Sequence, residues 1–318
     1  MKNRRYFFVF IIACFGGAYC FSQMQDGKYV FQNETCVTGC SPHIFTDINL
    51  RDARAVTNVL LQEVMDNWAL NLNSQVIIYE DIDALRRDIL GRKVDIIAVT
   101  TPEYFLLRNQ VSIIPFVTYR LENRTLDRML LISRIDSGVR SILQLSRRKI
   151  AVYSTLHDKL NLSSLWFTTL VLKGGGNYRD EYAPSIYEVQ KGTTAISDVF
   201  FRKADAAVVP ERNFIISREL NPQIGVQLSV IDSSKYILYA LLCYTEKLTT
   251  ALNRYKDRNT QSVIDMLCNI DKTEIGKRLL SIFRITSFIP FESEYLMDTE
   301  MLFNDFRILS MNKNRRAK

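Results

Sequence analysis

Apolar runs along the chain alternate with segments that beat every three to four residues. Residues 29–31 are a short strand candidate. Asn49 then caps a helix, with Asp52 in its first turn where a carboxylate suits the amide end. Val56, Leu60, Val64 and Trp68 recur every fourth residue as its inward stripe. Residues 75–79 (QVIIY) predict a strand. Asp81 opens a second helix, with Leu85, Ile89 and Leu90 inward and Gly91 as its stop. Residues 94–99 (VDIIAV) predict a buried strand, and Thr101-Pro102 begins the next helix. Further on, strands are predicted over 129–133 and 149–153, with a short helix or turn at 142–148 between them. Asn161 caps a helix through Leu172 that stops at Gly174-Gly175-Gly176. A helix over 194–202, a strand over 205–209, a helix from Pro210 to about Leu220 and a strand over 237–244 follow. The remainder is expected to be mostly helical, over 246–255, 260–269 and 273–283. Strands separated by helices imply parallel βαβ units and an α/β fold.

One internal echo stands out. Residues 92–103 read RKVDIIAVTTPE and residues 202–211 read RKADAAVVPE. Each is preceded by a predicted helix and ends in a proline at a helix start, where its lost N–H costs nothing. The echo predicts two α/β lobes. Asp95 and Asp205 begin the two strands and are expected to be structural.

Composition narrows the class. With 318 residues, 47% apolar and 24% charged, the chain is neither disordered nor of low complexity. No apolar run after residue 22 approaches the roughly 20 residues that span a bilayer, which excludes a polytopic membrane protein. The net charge of +7 suggests nucleic acid until its location is examined. Lys2, Arg4 and Arg5 at one end and Lys313, Arg315, Arg316 and Lys318 at the other account for all of it, so the body carries no basic surplus. The tail over 311–318 is expected to be a solvated basic end. Residues 1–22 combine a charged start, an apolar stretch over 6–13 and small residues before Gln23, the pattern of a signal peptide. Secretion or periplasmic location is expected, with attachment to the membrane if the segment is retained or lipidated. In an oxidising compartment Cys36-Val-Thr-Gly-Cys40 suits a loop disulfide, with free thiols as the alternative. Cys243 and Cys268 sit among apolar residues and are expected to be core thiols. Two histidines, His43 and His157, exclude a His-rich metal site; neither a metal nor a cofactor is expected.

Ligands of open parallel sheets bind beyond the carboxyl ends of strands, where helix amino ends attract anions. Four junctions qualify: 41–43, 100–104, 154–155 and 209–212. Their candidate ligand contacts are His43, Thr100, Thr101, Tyr104, Ser154, Thr155 and Arg212. The hydroxyls can donate to an anion, Tyr104 can wall a cleft, and the Arg212 fork suits a carboxylate or phosphate. Thr101 can equally be a plain helix cap, Tyr104 ordinary packing and Arg212 a solvated surface arginine. His157 beside Asp158 is taken as an incidental neighbour pair, and no catalytic residue is expected. The triple glycine lacks the Lys-Ser/Thr of a P-loop. Three Asn-x-Ser/Thr sequons, at Asn33, Asn123 and Asn161, are too common a pattern to weigh.

Several segments, in their order and spacing, resemble the phosphate/phosphite/phosphonate-type substrate-binding proteins of ABC importers, within the type 2 periplasmic-binding-protein superfamily. They are NLRDARAVTNVLLQEVMDN, VDIIAVTTPEYFLL, LLISRIDSGVRSILQLSRRKIAVYS, FFRKADAAVVPERNFI and IGKRLLSIF, within roughly residues 29–300. The resemblance implies a two-lobed fold, each lobe a mostly parallel sheet flanked by helices, with two hinge crossovers near 121–131 and 226–239. Lobe 1 would comprise 27–120 plus 240–310, and lobe 2 would comprise 125–230. It further implies a monomeric, non-enzymatic receptor that captures a small oxyanion-like ligand for an ABC permease or a sensor kinase. A ligand-free interaction module or a periplasmic enzyme on the same fold are the alternatives. The chain departs from such proteins after the lobe 2 strand, where Ser154-Thr155 is followed by Leu156-His157-Asp158 without their customary glycine. Asp158 and Glu103 would repel an oxyanion placed close to them.

Overall fold

The computed structural model describes residues 22–25, 28–45, 48–67, 70–154, 161–252 and 260–316. The expectations for residues 1–21, Trp68, Thr155, His157 and Asp158 lie outside the described residues. The chain begins with β1 (Ser22–Gln25), β2 (Lys28–Cys40), α1 (Leu50–Asn67), β3 (Leu70–Ile78), α2 (Ile82–Leu90), β4 (Ile96–Thr100), α3 (Thr101–Leu107) and β5 (Ile113–Leu121). It continues with β6 (Leu126–Asp127), β7 (Met129–Arg134), β8 (Ile150–Tyr153), α4 (Leu162–Lys173), β9 (Ile186–Val189), α5 (Gly192–Phe200), β10 (Ala206–Pro210), α6 (Glu211–Leu220), α7 (Pro222–Gln227) and β11 (Leu228–Ser233). It ends with β12 (Ile237–Leu238), β13 (Ala240–Thr245), α8 (Glu246–Leu252), α9 (Thr260–Cys268), α10 (Glu274–Ile282), β14 (Ile285–Pro290) and α11 (Met297–Arg316).

Two sheets organise these elements into a two-lobed α/β fold. In the first, β3, β2 and β4 run parallel, β13 lies antiparallel between β4 and β5, and β14 closes the far side. In the second, β10, β8 and β9 are parallel, with β7 antiparallel beside β10 and β11 antiparallel to β7 at the edge. Between the sheets, β6 and β12 pair antiparallel through Leu126–Leu238 and Asp127–Ile237. This two-stranded ribbon is where the chain passes from one lobe to the other.

The sequence echo is a structural repeat. After α2 and after α5 the chain turns through a left-handed arginine, Arg92 at φ 52° and Arg202 at φ 60°. Lys93 N then donates to Asp88 O at 2.9 Å, and Lys203 N to Asp198 O at 2.7 Å. The same two aspartates accept tyrosine hydroxyls, Tyr79 on Asp88 and Tyr187 on Asp198. Asp95 and Asp205 each cap a neighbouring strand, accepting from Val37 N at 2.8 Å and Lys149 N at 2.9 Å. Asp95 also holds Lys247 Nζ at 2.6 Å. Their expected structural role is what the geometry shows.

The strands between them are buried on both faces. Ile97, Val99 and Leu241 in the first lobe and Ala207, Val208 and Val209 in the second have no exposed surface. Each large aliphatic side chain so buried contributes about 1.5–3 kcal/mol.

Two expectations need correction. Cys36 and Cys40 are free thiols. Both lie on β2, which runs to Cys40 instead of stopping near residue 31. Four extended residues span about 13 Å, whereas a disulfide needs its Cα atoms within roughly 7 Å. In the region expected to be mostly helical, β14 also forms and pairs with β5. The helix α11 runs through to Arg316. Among the described residues no helix is long and apolar enough to cross a membrane.

Candidate functional site

The carboxyl ends of β2, β4, β8 and β10 carry most of the predicted positions. At the end of β4, Thr100 is the N-cap of α3, so Thr101 is its first helical residue and not the cap. Glu103, 4% exposed, reaches back to accept from Thr100 N at 2.8 Å and Thr100 Oγ1 at 2.9 Å. Its other oxygen accepts from Ser41 Oγ at 2.7 Å and lies 2.9 Å from His43 Nδ1. Ser41 and His43 follow β2 directly, and the turn Pro42–Ile44 places them beside α3. Burial alone would raise the Glu103 pKa. The hydrogen bonds from His43, Ser41 and Thr100 outweigh it and hold the carboxyl below its ordinary value. An ionised Glu103 accepts, so Nδ1 of His43 carries the proton. The repulsion expected of Glu103 is thus partly absorbed by its own donors.

Thr101 and Tyr104 do other work. Thr101 is fully buried, its hydroxyl donates to Leu238 O at 2.7 Å, and its N–H donates to Tyr239 O. It ties the start of α3 to the interlobe ribbon. Tyr104 is buried among Val99, Phe105, Leu107 and Leu238. Its role is packing, because as the fourth residue of α3 it turns into the core and not along the strand ends.

In the second lobe, Ser154 is 2% exposed and closes β8, its N–H bonded to Val189 O and its hydroxyl accepting from Asn161 Nδ2 at 3.1 Å. Asn161 in turn caps α4 by accepting from Ser164 N. Arg212, in the first turn of α6, is not a solvated arginine: 14% of its side chain is exposed. Its Nε stands 3.7 Å from Asp127 Oδ2. That oxygen has no hydrogen-bond partner, and Asp127 is 13% exposed. Burial raises the Asp127 pKa against the opposing pull of Arg212. Tyr119, Tyr153 and Tyr239 all lie within electrostatic reach of the guanidinium. Tyr239 donates its hydroxyl to His43 O at 2.9 Å, which links the group back to the first lobe. A cavity of ≈ 10 Å³, space for about one water, lies beside Arg212 between Tyr119, Asp127 and Tyr239.

The structure therefore joins His43, Thr100 and Ser41 through Glu103, and Arg212 to Asp127 and three tyrosines. Thr101 and Tyr104 stay outside both groups. Asp127, Tyr119, Tyr153 and Tyr239 are the functional candidates that sequence reasoning missed. Their signal was position alone: Asp127 and Tyr239 lie in the predicted crossovers, Tyr153 ends β8, and Tyr119 lies within β5, which the sequence did not reveal. Chemically, the arrangement presents one under-neutralised cation, hydroxyl donors and aromatic walls to a small anion. No group of three or more His, Cys, Asp or Glu among the described residues is placed to hold a metal.

A sequence model of the family described as "ABC transporter, phosphonate, periplasmic substrate-binding protein" matches residues 59–296. No curated protein matches the chain in sequence. Among solved structures, a Xanthomonas citri protein bound to chloride ion is 15% identical, with TM-score 0.63, 87% of this chain and 99% of that one being covered. PhnD1 from Prochlorococcus marinus in complex with methylphosphonate is 14% identical, with TM-score 0.60 over 86% and 98% of the two chains. A binding-protein component of an ABC phosphonate transporter from Pseudomonas aeruginosa is 12% identical, with TM-score 0.58 over 88% of each chain. At these identities the likeness is one of fold.

Proposed function

Because the chain belongs to the phosphonate-type periplasmic substrate-binding proteins of ABC transporters, we propose that it is a non-enzymatic receptor holding a small oxyanion between its lobes. Arg212 carries the proposal: a largely buried cation at the start of α6, 3.7 Å from Asp127 Oδ2, an oxygen without a hydrogen-bond partner although Oδ1 accepts from Arg128 N. An anion placed there completes the charge balance at a helix amino end. Ser154 supplies a hydroxyl from the same lobe, and Ser41, His43 and Thr100 line the facing lobe. Closure about the β6–β12 ribbon brings the two sets together. The ligand shifts that equilibrium only by binding the closed form better than the open one. The closed form is then read by a permease in the membrane, with a sensor kinase as the other reader, and the chain works in the periplasm as a monomer.

A thermal-shift panel of phosphate, methylphosphonate, alkylsulfonates and carboxylates tests the proposal. An anion at 100 times its dissociation constant stabilises the fold by about 2.7 kcal/mol. Arg212→Ala, checked for folding by circular dichroism, is expected to weaken the active anion at least about tenfold, the worth of a charged hydrogen bond. Silence across the panel, or equal binding by the Arg212 variant, overturns the assignment.

A further inference from the structure

A second cavity, of ≈ 90 Å³, lies in the first lobe between the sheet and α1. Its cause is readable in the strands. On the face that α1 covers, Cys40 of β2 is paired with Ala98 of β4, and Thr38 and Ala240 line the same space from β2 and β13, with Leu242 of β13 opposite Ala98. Small side chains on the strands leave this space below Leu60 and Leu61 of the helix, which also line it. The lining is almost wholly apolar. Burial pushes the Cys40 thiol up to about 12, so it stays neutral and behaves as a small hydrophobe. Two threonines lie in the wall. Thr57 spends its hydroxyl on Ala53 O at 2.7 Å. Thr38, 4% exposed, has no hydrogen-bond partner for its Oγ1. A buried hydroxyl without a partner costs free energy that a bound polar group would recover. Ile44, Leu121 and Phe283 at the edge are only partly buried, and they provide a way in.

We propose that this cavity is a second ligand site, separate from the anion group at Arg212, that takes a short uncharged amphiphile: an alkyl group of about three or four carbons whose single polar end meets Thr38 Oγ1. The size follows from comparison with an apolar cavity of roughly 150 Å³, which takes benzene or xenon. The lining excludes charge, since no ionised side chain faces the space to pair with one. The site goes beyond anion capture, and its walls include Tyr119 and Tyr239, which also bound the space beside Arg212.

Xenon and 1-butanol are the probes. Titrating the protein with dissolved ¹²⁹Xe is expected to give a saturable shift in the xenon resonance, which butanol displaces. Ala98→Leu fills the cavity and is expected to abolish the xenon shift while phosphate or phosphonate binding at Arg212 persists. Thr38→Val keeps the shape and removes the hydroxyl. It is expected to retain the xenon site and to weaken butanol about fivefold, one hydrogen bond's worth. If Ala98→Leu does not fold, the Thr38→Val comparison decides alone. No saturable xenon shift in the unaltered protein, an unchanged shift in folded Ala98→Leu, or equal butanol displacement in Thr38→Val overturns the proposal.

Discussion

Glu103 is 4% exposed and still titrates low, because four polar contacts from Ser41, His43 and Thr100 meet its two oxygens. A carboxyl held below its unfolded value contributes stability that is whole above that value and is lost as pH falls through the folded one. The ordinary value here is 4.5, so the loss belongs below that pH. Urea midpoints measured from pH 7 down to pH 3 are expected to fall more steeply in the native chain than in Glu103→Gln, which cannot titrate there. Equal slopes would mean that Glu103 is not ionised in the folded protein. Asp127 runs the other way. Its raised pKa, caused by burial, means that ionisation costs the fold stability at neutral pH. Glu103 could be named from the sequence as a hazard to an anion. That it is a satisfied carboxylate depends on Ser41 and His43, some sixty residues earlier, which no local pattern reveals.

At the level of single elements, β4–α3 and β10–α6 are the same device built twice. A continuous apolar run, a carboxylate at the strand start and a proline near the helix start made both legible in sequence. Strand β5 was not, because Pro115 interrupts its apolar run. The structure accommodates the proline where the pairing with β13 shifts register, between Leu242 and Cys243. The 13-residue β2 was underestimated for a related reason: Asn33, Glu34 and Thr35 break its hydrophobic pattern. Thr101 illustrates a role that a helix-start pattern hides. Replacing it with valine removes the bond to Leu238 O and is expected to cost about 0.5–1.5 kcal/mol in chemical denaturation. In α10, Gly276 packs so tightly that a Cβ would lie 2.0 Å from Ile270 O. Gly276→Ala is therefore expected to destabilise by about 1–3 kcal/mol, read as a lower melting temperature. A neutral result would show that the turn before α10 can shift.

Over the whole molecule, α11 belongs to neither lobe alone. Leu302 is buried in the cluster around Phe167 and Trp166, while Phe303 packs on Phe105 of α3 with ring centroids 5.3 Å apart. Lys173 to Asp305 and Arg108 to Glu300 secure it to the two sides. Thr299 Oγ1 accepts from Leu238 N in the ribbon. The helix thus spans the joint about which closure would occur. Phe303→Ala is expected to lower stability by about 1–3 kcal/mol and to increase the radius of gyration in small-angle scattering. An unchanged radius would show that α11 does not restrain the lobes.

The sequence by itself determined the α/β alternation, the twofold echo and the strand-end junctions, because periodicity, caps and prolines act over a few residues. It also located Arg212 and His43 at two of those junctions. Only the tertiary structure decided which of the junction residues meet. Thr101 and Tyr104 were withdrawn into the hinge and the core, and Cys36 and Cys40 were held apart on one extended strand. Asp127 and Tyr239 were brought to Arg212 by the two crossovers. These contacts join residues 85 and 27 positions apart, so they are set by sheet order and packing rather than by any neighbouring residue.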